Sequence, residues 1–403
     1  MQWASSLPSH ASIMTSMYPY YHGAFPNGKN LNPELLTLVK ILREYGYKSA
    51  AFVTNSLVGE QYNFNLGYDT FVDQAHFEYA NTTLGMWVRQ LNLIRILDHL
   101  RHDDLITELT LAWLDRNTDA PFFLWTQWLD PHAPYRPAKR FLRRFEKSYH
   151  GIADGSLRQI RQINQKKLKL DEKDIRHYEA LYDGEVAASD YQIQRVLDRL
   201  ETLGVLDNSL VIITGDHGEN LYEHGMEYGH YGVYDSSLRI PLLFFMPKKL
   251  PQGLRIQKVV QSIDIAPTIL DLLNIPIPKQ FQGRSLLPLV RGEAPDWPSV
   301  AHSVMFRNDR NFLALRDGDW KLLLTVTKKG KKYELYHIPS DPKELHNLID
   351  SKPDVAKRMK AEMEKWINHD FARPQLVYQP GHFFKEDFDQ KTIERLRSLG
   401  YIK

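Results

Sequence analysis

The 403-residue chain contains no cysteine. Disulfides, thiolate metal sites and a cysteine nucleophile are therefore excluded, and nothing about redox compartment follows. Long apolar runs are also missing. The longest, such as Pro241-Leu242-Leu243-Phe244-Phe245-Met246, fall far short of the roughly 20 residues that cross a bilayer, so no membrane span is expected. Met1-Gln2-Trp3-Ala4-Ser5-Ser6 has neither the basic n-region nor the apolar h-region of a secretory signal. Nor is one sign of charge in excess: 51 Lys and Arg face 49 Asp and Glu, a net charge of +2. That balance argues against a dedicated nucleic-acid binder, without excluding a local basic patch. What remains is an ordinary globular composition, long enough for one large α/β domain with an appendage or for two domains.

Apolar periodicity sets the organisation. Residues 33–45 carry Leu35, Leu36, Leu38, Val39, Ile41 and Leu42 at helical spacing, stop at Gly46, and lead into Ala50-Ala51-Phe52-Val53-Thr54. A helical stretch near 104–115 precedes the run Phe122 to Leu129, and a long helix carrying Val186, Ile193, Val196, Leu197, Leu200 and Leu203 stops at Gly204 before Leu210-Val211-Ile212-Ile213-Thr214. Helices alternating with continuous apolar strands predict an α/β fold: a mainly parallel sheet covered by helices on both faces. In such sheets ligands gather at the carboxyl ends of strands, where Asn55, Asp130 with His132, and Asp216 with His217 fall. Residues 138–176 are rich in Lys and Arg and poor in strong apolar positions. They read either as a solvated surface insertion or as a rim that attracts anionic substrates. From about 299 the pattern changes to short strands punctuated by Asp317-Gly318 and Lys329-Gly330, then a helix near 353–369. This predicts a small C-terminal antiparallel sheet plus helix, with domains at 1–298 and 299–403.

Two segments could carry chemistry. Thr214-Gly215-Asp216-His217-Gly218-Glu219 follows a buried strand, and its carboxylate and imidazole sit in a Gly-flanked loop able to turn both towards one divalent cation. His224 and His230 follow, giving three histidines within fourteen residues, too many to explain by packing. Near the start, Ser6-Leu7-Pro8-Ser9-His10-Ala11-Ser12 fits a helix N-terminus, where free N–H groups favour an anion. A hydroxyl there is either an N-cap or a nucleophile facing that anion.

These segments resemble the active-site signature of the sulfatase family within the alkaline phosphatase superfamily, through Ser6 to Ser12, Tyr18-Pro19, His22-Gly23, Asp216-His217-Gly218-Glu219 and His224-Gly225. The likeness continues through Gly46 to Val53, Leu181-Tyr182-Asp183-Gly184-Glu185, Ile263-Asp264-Ile265-Ala266-Pro267-Thr268, Glu334-Leu335-Tyr336 and the C-terminal stretch Ile393 to Ile402. It implies an alkaline phosphatase-like fold and a hydrolase that transfers a sulfuryl or phosphoryl group to an enzyme nucleophile. A divalent metal is implied beside it, Ca2+ first, with Mg2+ or Mn2+ as alternatives. Carried over by position, Ser6 is the nucleophile, unmodified or converted to formylglycine. Asp216 and His217 are metal ligands. His10, His132 and His230 are catalytic groups, and Asn27 and His224 contact substrate. His10 stands where the modification motif normally has arginine, which argues against conversion of Ser6.

The resemblance also implies a preceding strand with two adjacent aspartates. The sequence begins five residues before Ser6 and lacks it, which suggests a late start or a fragment. The one adjacent pair, Asp103-Asp104, falls on a predicted helix and reads as surface. The resemblance is compatible with three readings: a sulfatase acting on sulfate esters of carbohydrates or aryl alcohols; a phosphodiesterase or phosphonate monoester hydrolase with unmodified Ser6; and a non-catalytic anion-binding relative. The substrate or partner is in each case a sulfated or phosphorylated small molecule or carbohydrate.

Overall fold

The computed structural model describes the whole chain except residues 26–29, 74–101, 226–227, 295, 308–309 and 371–403. Asn27 and the C-terminal stretch 393–402 therefore lie outside the described residues. The helices used below are α1 (Ser6–Thr15), α2 (Leu38–Glu44), α3 (His102–Asn117), α4 (Lys139–Leu142), α5 (Leu157–Asn164), α6 (Glu172–Thr202), α7 (Asp235–Leu238) and α8 (Pro353–Asp370). The strands are β1 (Lys48–Val53), β2 (Thr70–Val72), β3 (Phe122–Gln127), β4 (Val211–Thr214), β5 (Leu242–Phe245), β6 (Val300–Arg307), β7 (Arg310–Asp317), β8 (Trp320–Thr327) and β9 (Gly330–His337).

Two compact units divide the chain. One contains Val39–Leu210 and Gly225–Gly229, and its centre is the parallel sheet β2-β1-β3. β1 is paired on both sides, with Phe52 opposite Val72 and Thr126. Its run Ser49 to Val53 is buried, as a continuous apolar strand in a covered parallel sheet should be. Ile106 of α3 packs on Ala50 and Phe52. Gly46 (φ +80°) and Gly204 (φ +70°) end the preceding helices in the left-handed conformation that glycine adopts without steric cost, as the sequence predicts.

Two sequence expectations are corrected. The helix read over 33–45 begins only at Leu38. Asn32 Oδ1 accepts the Glu34 N–H (3.0 Å) in an Asx turn, so the apolar spacing before Leu38 lies in a turn. Asp103, read as surface, is buried. Its carboxylate accepts the backbone N–H groups of Leu129 and Asp130, both at 3.0 Å, where the chain leaves β3 and has no ladder partner for them. Asp104 accepts Gln192 Nε2 (2.5 Å).

The other unit takes its described residues from Met1–Leu38, Val211–His224 and the chain from His230 onward. β4 runs antiparallel to β5, with Ile213 opposite Leu243. An antiparallel pair requires its connection to leave and return at the same end, so the chain leaves β4 at its carboxyl end and enters β5 at that same end. The antiparallel sheet β6-β7-β8-β9 is present as predicted, with β6 as a strand the sequence reading did not separate. Leu313, Leu315, Leu322, Leu324 and Leu335 pack with Met359, Met363 and Trp366 of α8, and Trp3 joins the same core. No helix among the described residues is long and apolar enough to cross a membrane.

Candidate active site

α1 is buried along all ten residues. A helix with no exposed face is set by its surroundings, and its small side chains allow the chain to approach closely. Ser9 Oγ donates to the backbone carbonyl of Asp216 (2.5 Å), which joins α1 to the loop after β4. Ser6 is the first helical residue and Pro8 the third. Proline is tolerated there because the first four N–H groups of a helix have no intrahelical acceptor. The N-cap position belongs to Ser5, whose side chain makes no capping bond, so the Ser6 hydroxyl is not a cap.

Ser6 Oγ instead lies 3.3 Å from His217 Nε2. His217 Nδ1 is 2.9 Å from the Gly218 carbonyl. A carbonyl can only accept, so Nδ1 carries the proton and Nε2 presents its lone pair to the serine. Such a nitrogen can accept the serine proton or ligate a metal, but not both at once. Asp216 Oδ2 is 3.6 Å from the same Nε2 and 3.5 Å from His10 Nε2. Burial alone would raise the Asp216 pKa, but the His217 and His10 imidazoles in their charged form, and the Ser6 hydroxyl when it turns to Asp216 rather than to His217, hold it well below the usual carboxylate range. The Asp216 carboxylate is thus ionised across the accessible pH range.

Glu219 behaves in the opposite way. Burial first, then the charges of Asp216 and Glu223, push its pKa up to about 8. Its Oε1 is buried with no hydrogen-bond partner among the described residues. Glu219 and His230 each offer a ligand atom within 4.8 Å of the other, and the rings of His217 and His230 lie 4.0 Å apart at 32°. Two neighbouring half-buried carboxylates, one ionised and one with an orphaned buried oxygen, beside an imidazole lone pair, suit a divalent cation.

The loop is held by a residue that sequence reasoning did not single out. Asn220, fully buried, donates to the Tyr231 carbonyl (2.9 Å) and accepts from Ser236 Oγ (2.5 Å) and Ser237 Oγ (3.1 Å). It thereby fixes the Asp216–Glu219 turn against both the residue after His230 and α7. Lys321 of β8, 2% exposed, holds α7 in turn through ion pairs to Asp235 (2.5 Å) and Glu344 (2.7 Å). Only the position of Asn220 beside the Asp-His-Gly-Glu motif could have drawn attention to it.

Of the residues expected at the site, Ser6, His10, Asp216, His217 and His230 come together in this unit. His224 takes a different place. At φ +58° it stacks on Tyr234 (4.0 Å, 15°), and burial lowers its pKa, opposed by Glu223 and Glu334. His132 belongs to the parallel-sheet unit, where its Nδ1 lies 2.7 Å from the Ala133 carbonyl and it follows the cis peptide Asp130-Pro131.

Comparison with known proteins bears on the same segments. The sulfatase family profile matches residues 4–275, and that of the N-sulphoglucosamine sulphohydrolase C-terminal region matches 222–369. Arylsulfatase K of Bos taurus is 23% identical over 430 residues, covering 94% of this chain and 75% of its own. N-acetylglucosamine-6-O-sulfatase of Bacteroides thetaiotaomicron is 24% identical over 436 residues, with 90% and 77% covered. Among solved structures, a protein in complex with its substrate D-glucosamine-2-N,6-O-disulfate superposes with a TM-score of 0.73 at 22% identity over 93% of this chain and 90% of that one. The phosphonate monoester hydrolase of Agrobacterium radiobacter also gives 0.73, at 19% identity, over 91% and 86%. With the profile covering most of the chain and the fold shared over nearly all of it, the chain belongs to the sulfatase family of sulfuric ester hydrolases.

Proposed function

We propose that this protein hydrolyses sulfate esters of a carbohydrate, with Ser6 as the nucleophile. The observation that carries this reading is the Ser6 Oγ to His217 Nε2 approach, with the tautomer set by Gly218. Asp216, with Glu219 beside it, would hold a divalent cation, which would offset the negative charge of the sulfate oxygens and of the attacking serine; His217, expected as a further ligand, would join them only when its Nε2 is not taking the serine proton. The resemblance implies Ca2+. The carboxylates of the donor set suit hard cations, which makes Mg2+ and Mn2+ its competitors.

The protein's own groups then divide the work. Ser6 Oγ passes its proton to His217 Nε2 and attacks sulfur in line, and the bond from sulfur to the departing sugar oxygen breaks. His10, buried beside Asp216, serves the non-bridging oxygens. His230 donates a proton to the leaving alkoxide, which becomes the free hydroxyl. Water then cleaves the Ser6 sulfate ester. If Ser6 carries the formylglycine hydrate instead, its second hydroxyl expels sulfate. His10 in the position of an arginine favours the first route.

That histidine, with the fold shared by a phosphonate monoester hydrolase, also supports the second reading, an unmodified serine acting on phosphonate monoesters or phosphodiesters. A panel of aryl sulfate, phosphate diester and phosphonate monoester decides between them, with mass spectrometry of the Ser6 peptide. Turnover of the aryl sulfate at least tenfold above the others supports the sulfatase reading. A Ser6→Ala variant that retains wild-type turnover would falsify the nucleophile assignment.

A further inference from the structure

Charge in this chain is segregated by segment. Between 136 and 169 stand eleven Lys and Arg and two acids, Glu146 and Asp154. Subtracting these from 51 and 49 leaves 40 basic against 47 acidic residues elsewhere, so a segment of +9 sits in a chain whose remainder is −7. All eleven cationic residues are exposed. Among the described residues Lys139, Arg143, Arg144, Lys147, Arg158, Arg161, Lys166, Lys167 and Lys169 enter no ion pair. Neither acid offsets them: Glu146 pairs with buried His177, and Asp154 Oδ1 accepts the Ser156 N–H at 2.8 Å. On the adjoining helix α6, by contrast, Arg176 is balanced by Glu172 (2.9 Å) and Lys173 by Asp171 (3.4 Å).

The segment is held in one shape. Tyr149 stacks on His177 (3.6 Å, 3°) and donates to Asp174. Gln159 of α5 donates to the Ile152 carbonyl (2.5 Å) and accepts from the Asp154 N–H (2.8 Å) and Tyr178 Oη (2.8 Å). Asn164 exchanges two hydrogen bonds with the Tyr228 backbone, at 3.0 and 2.9 Å. Both basic stretches are thus fastened around the start of α6. Arg140 is fixed over the rings of Phe141 and Tyr191, at 4.6 and 4.7 Å. A solvated charge run needs none of this ordering. The nearby 730 Å3 cleft is of mixed sign, with Arg144, Lys173 and Arg176 against Glu146, Glu179 and Asp183, and is not the surface in question.

We propose that residues 139–169 form a docking surface for a sulfated polysaccharide, holding the polymer while one of its esters is cleaved elsewhere on the enzyme. This rests on the sulfate-ester reading above for the choice of polyanion. Dispersed, unpaired cations without a pocket bind a single small anion weakly, but they sum along a polymer whose counterions are released on binding.

The test uses the full chain with heparin as the probe. The variant Arg143→Glu/Arg144→Glu/Lys166→Glu/Lys167→Glu changes exposed side chains outside the site. The control Lys258→Glu/Lys279→Glu/Lys343→Glu/Lys357→Glu makes the same change in net charge at scattered exposed positions. Heparin affinity is measured against salt concentration, and turnover on a small aryl sulfate alongside. The first variant should bind heparin at least tenfold more weakly, with a shallower salt slope because fewer counterions are released, and keep its aryl sulfate turnover. The control should bind within threefold of wild type. Equal weakening in both variants, or no salt-sensitive affinity in the wild type, overturns the surface. Tighter binding to duplex DNA than to heparin overturns the choice of polysaccharide. Heparin binding abolished only in the first variant, in a protein that turns over no sulfate ester, supports the surface and refutes the reaction.

Discussion

Lys321→Met is the most informative single change outside the catalytic residues. The ammonium lies 2.5 Å from Asp235 and 2.7 Å from Glu344, and both Lys321 and Glu344 are 2% exposed. Methionine fills most of the same volume, so the loss is electrostatic: half-buried Asp235 and buried Glu344 lose the cation between them. Removing one partner of a buried ion pair costs about 3–5 kcal/mol, and the two acids here put the loss at the upper end. Glu344 sets its pH dependence. Burial, opposed by Lys321 and reinforced by Asp235, already raises its pKa, and without the lysine it rises further. An acid whose folded pKa is raised stabilises the fold below its unfolded pKa, and that contribution is lost as pH rises through the folded pKa. Urea unfolding of wild type and variant should therefore differ more at pH 8 than at pH 5. The triple variant Lys321→Met/Asp235→Asn/Glu344→Gln should recover most of the stability. A deficit below about 1 kcal/mol at pH 8, or one independent of pH, would refute the reasoning. Because Asp235 opens α7, which Asn220 holds through Ser236 and Ser237, kcat should fall in Lys321→Met as well.

Asn220→Ala should cost about 3 kcal/mol, roughly 1 for each of its three hydrogen bonds. It should lower kcat more than it alters KM if it positions His230; an unchanged kcat at this stability loss would make it merely structural. Asp216→Asn should weaken divalent cation binding by calorimetry and reduce turnover by at least a hundredfold, whereas equal metal affinity would remove Asp216 from the ligand set. His22, buried between Ser12 and the Ala24 N–H, has its pKa lowered by burial to about 3. Its contribution is present above the unfolded value near 6.5 and is lost as pH falls towards 3, at about 1.4 kcal/mol per pH unit. His22→Asn should flatten the acid limb of the stability curve between pH 6 and 4, and an unchanged slope would show that other groups drive acid unfolding.

How far the sequence could be read depended on the range of the forces involved. The stops at Gly46 and Gly204, the strand at Ser49 to Val53 and the C-terminal meander follow from local periodicity and left-handed glycines. The pairing of β4 with β5 did not, because a run such as Val211 to Thr214 has no preferred direction until the connection closes. Asp103 was read as surface because nothing local distinguishes an exposed helix acid from one that caps a strand exit 26 residues later. At the site, Ser6, Asp216 and His217 were legible as chemistry, but their meeting depends on long-range hydrogen bonds such as Ser9 to Asp216, 207 residues apart. The motif alone gives Glu219 no role, since its raised pKa comes from burial that no spacing reveals.

The complete burial of α1 also fixes an order of events in the protein's life. Ser6 is 1% exposed, and the nine helical residues that follow it are buried too. A small anion needs access to a single oxygen, whereas another enzyme modifying this residue must grip an extended stretch of chain around it. In the folded protein that stretch is coiled inside the core. Any enzyme-catalysed alteration of Ser6 must therefore happen before the polypeptide has folded, while it is still emerging or being translocated. Folding then acts as a deadline, and the chemical identity of the nucleophile is decided by a race between a modifying enzyme and the collapse of the chain around its first helix.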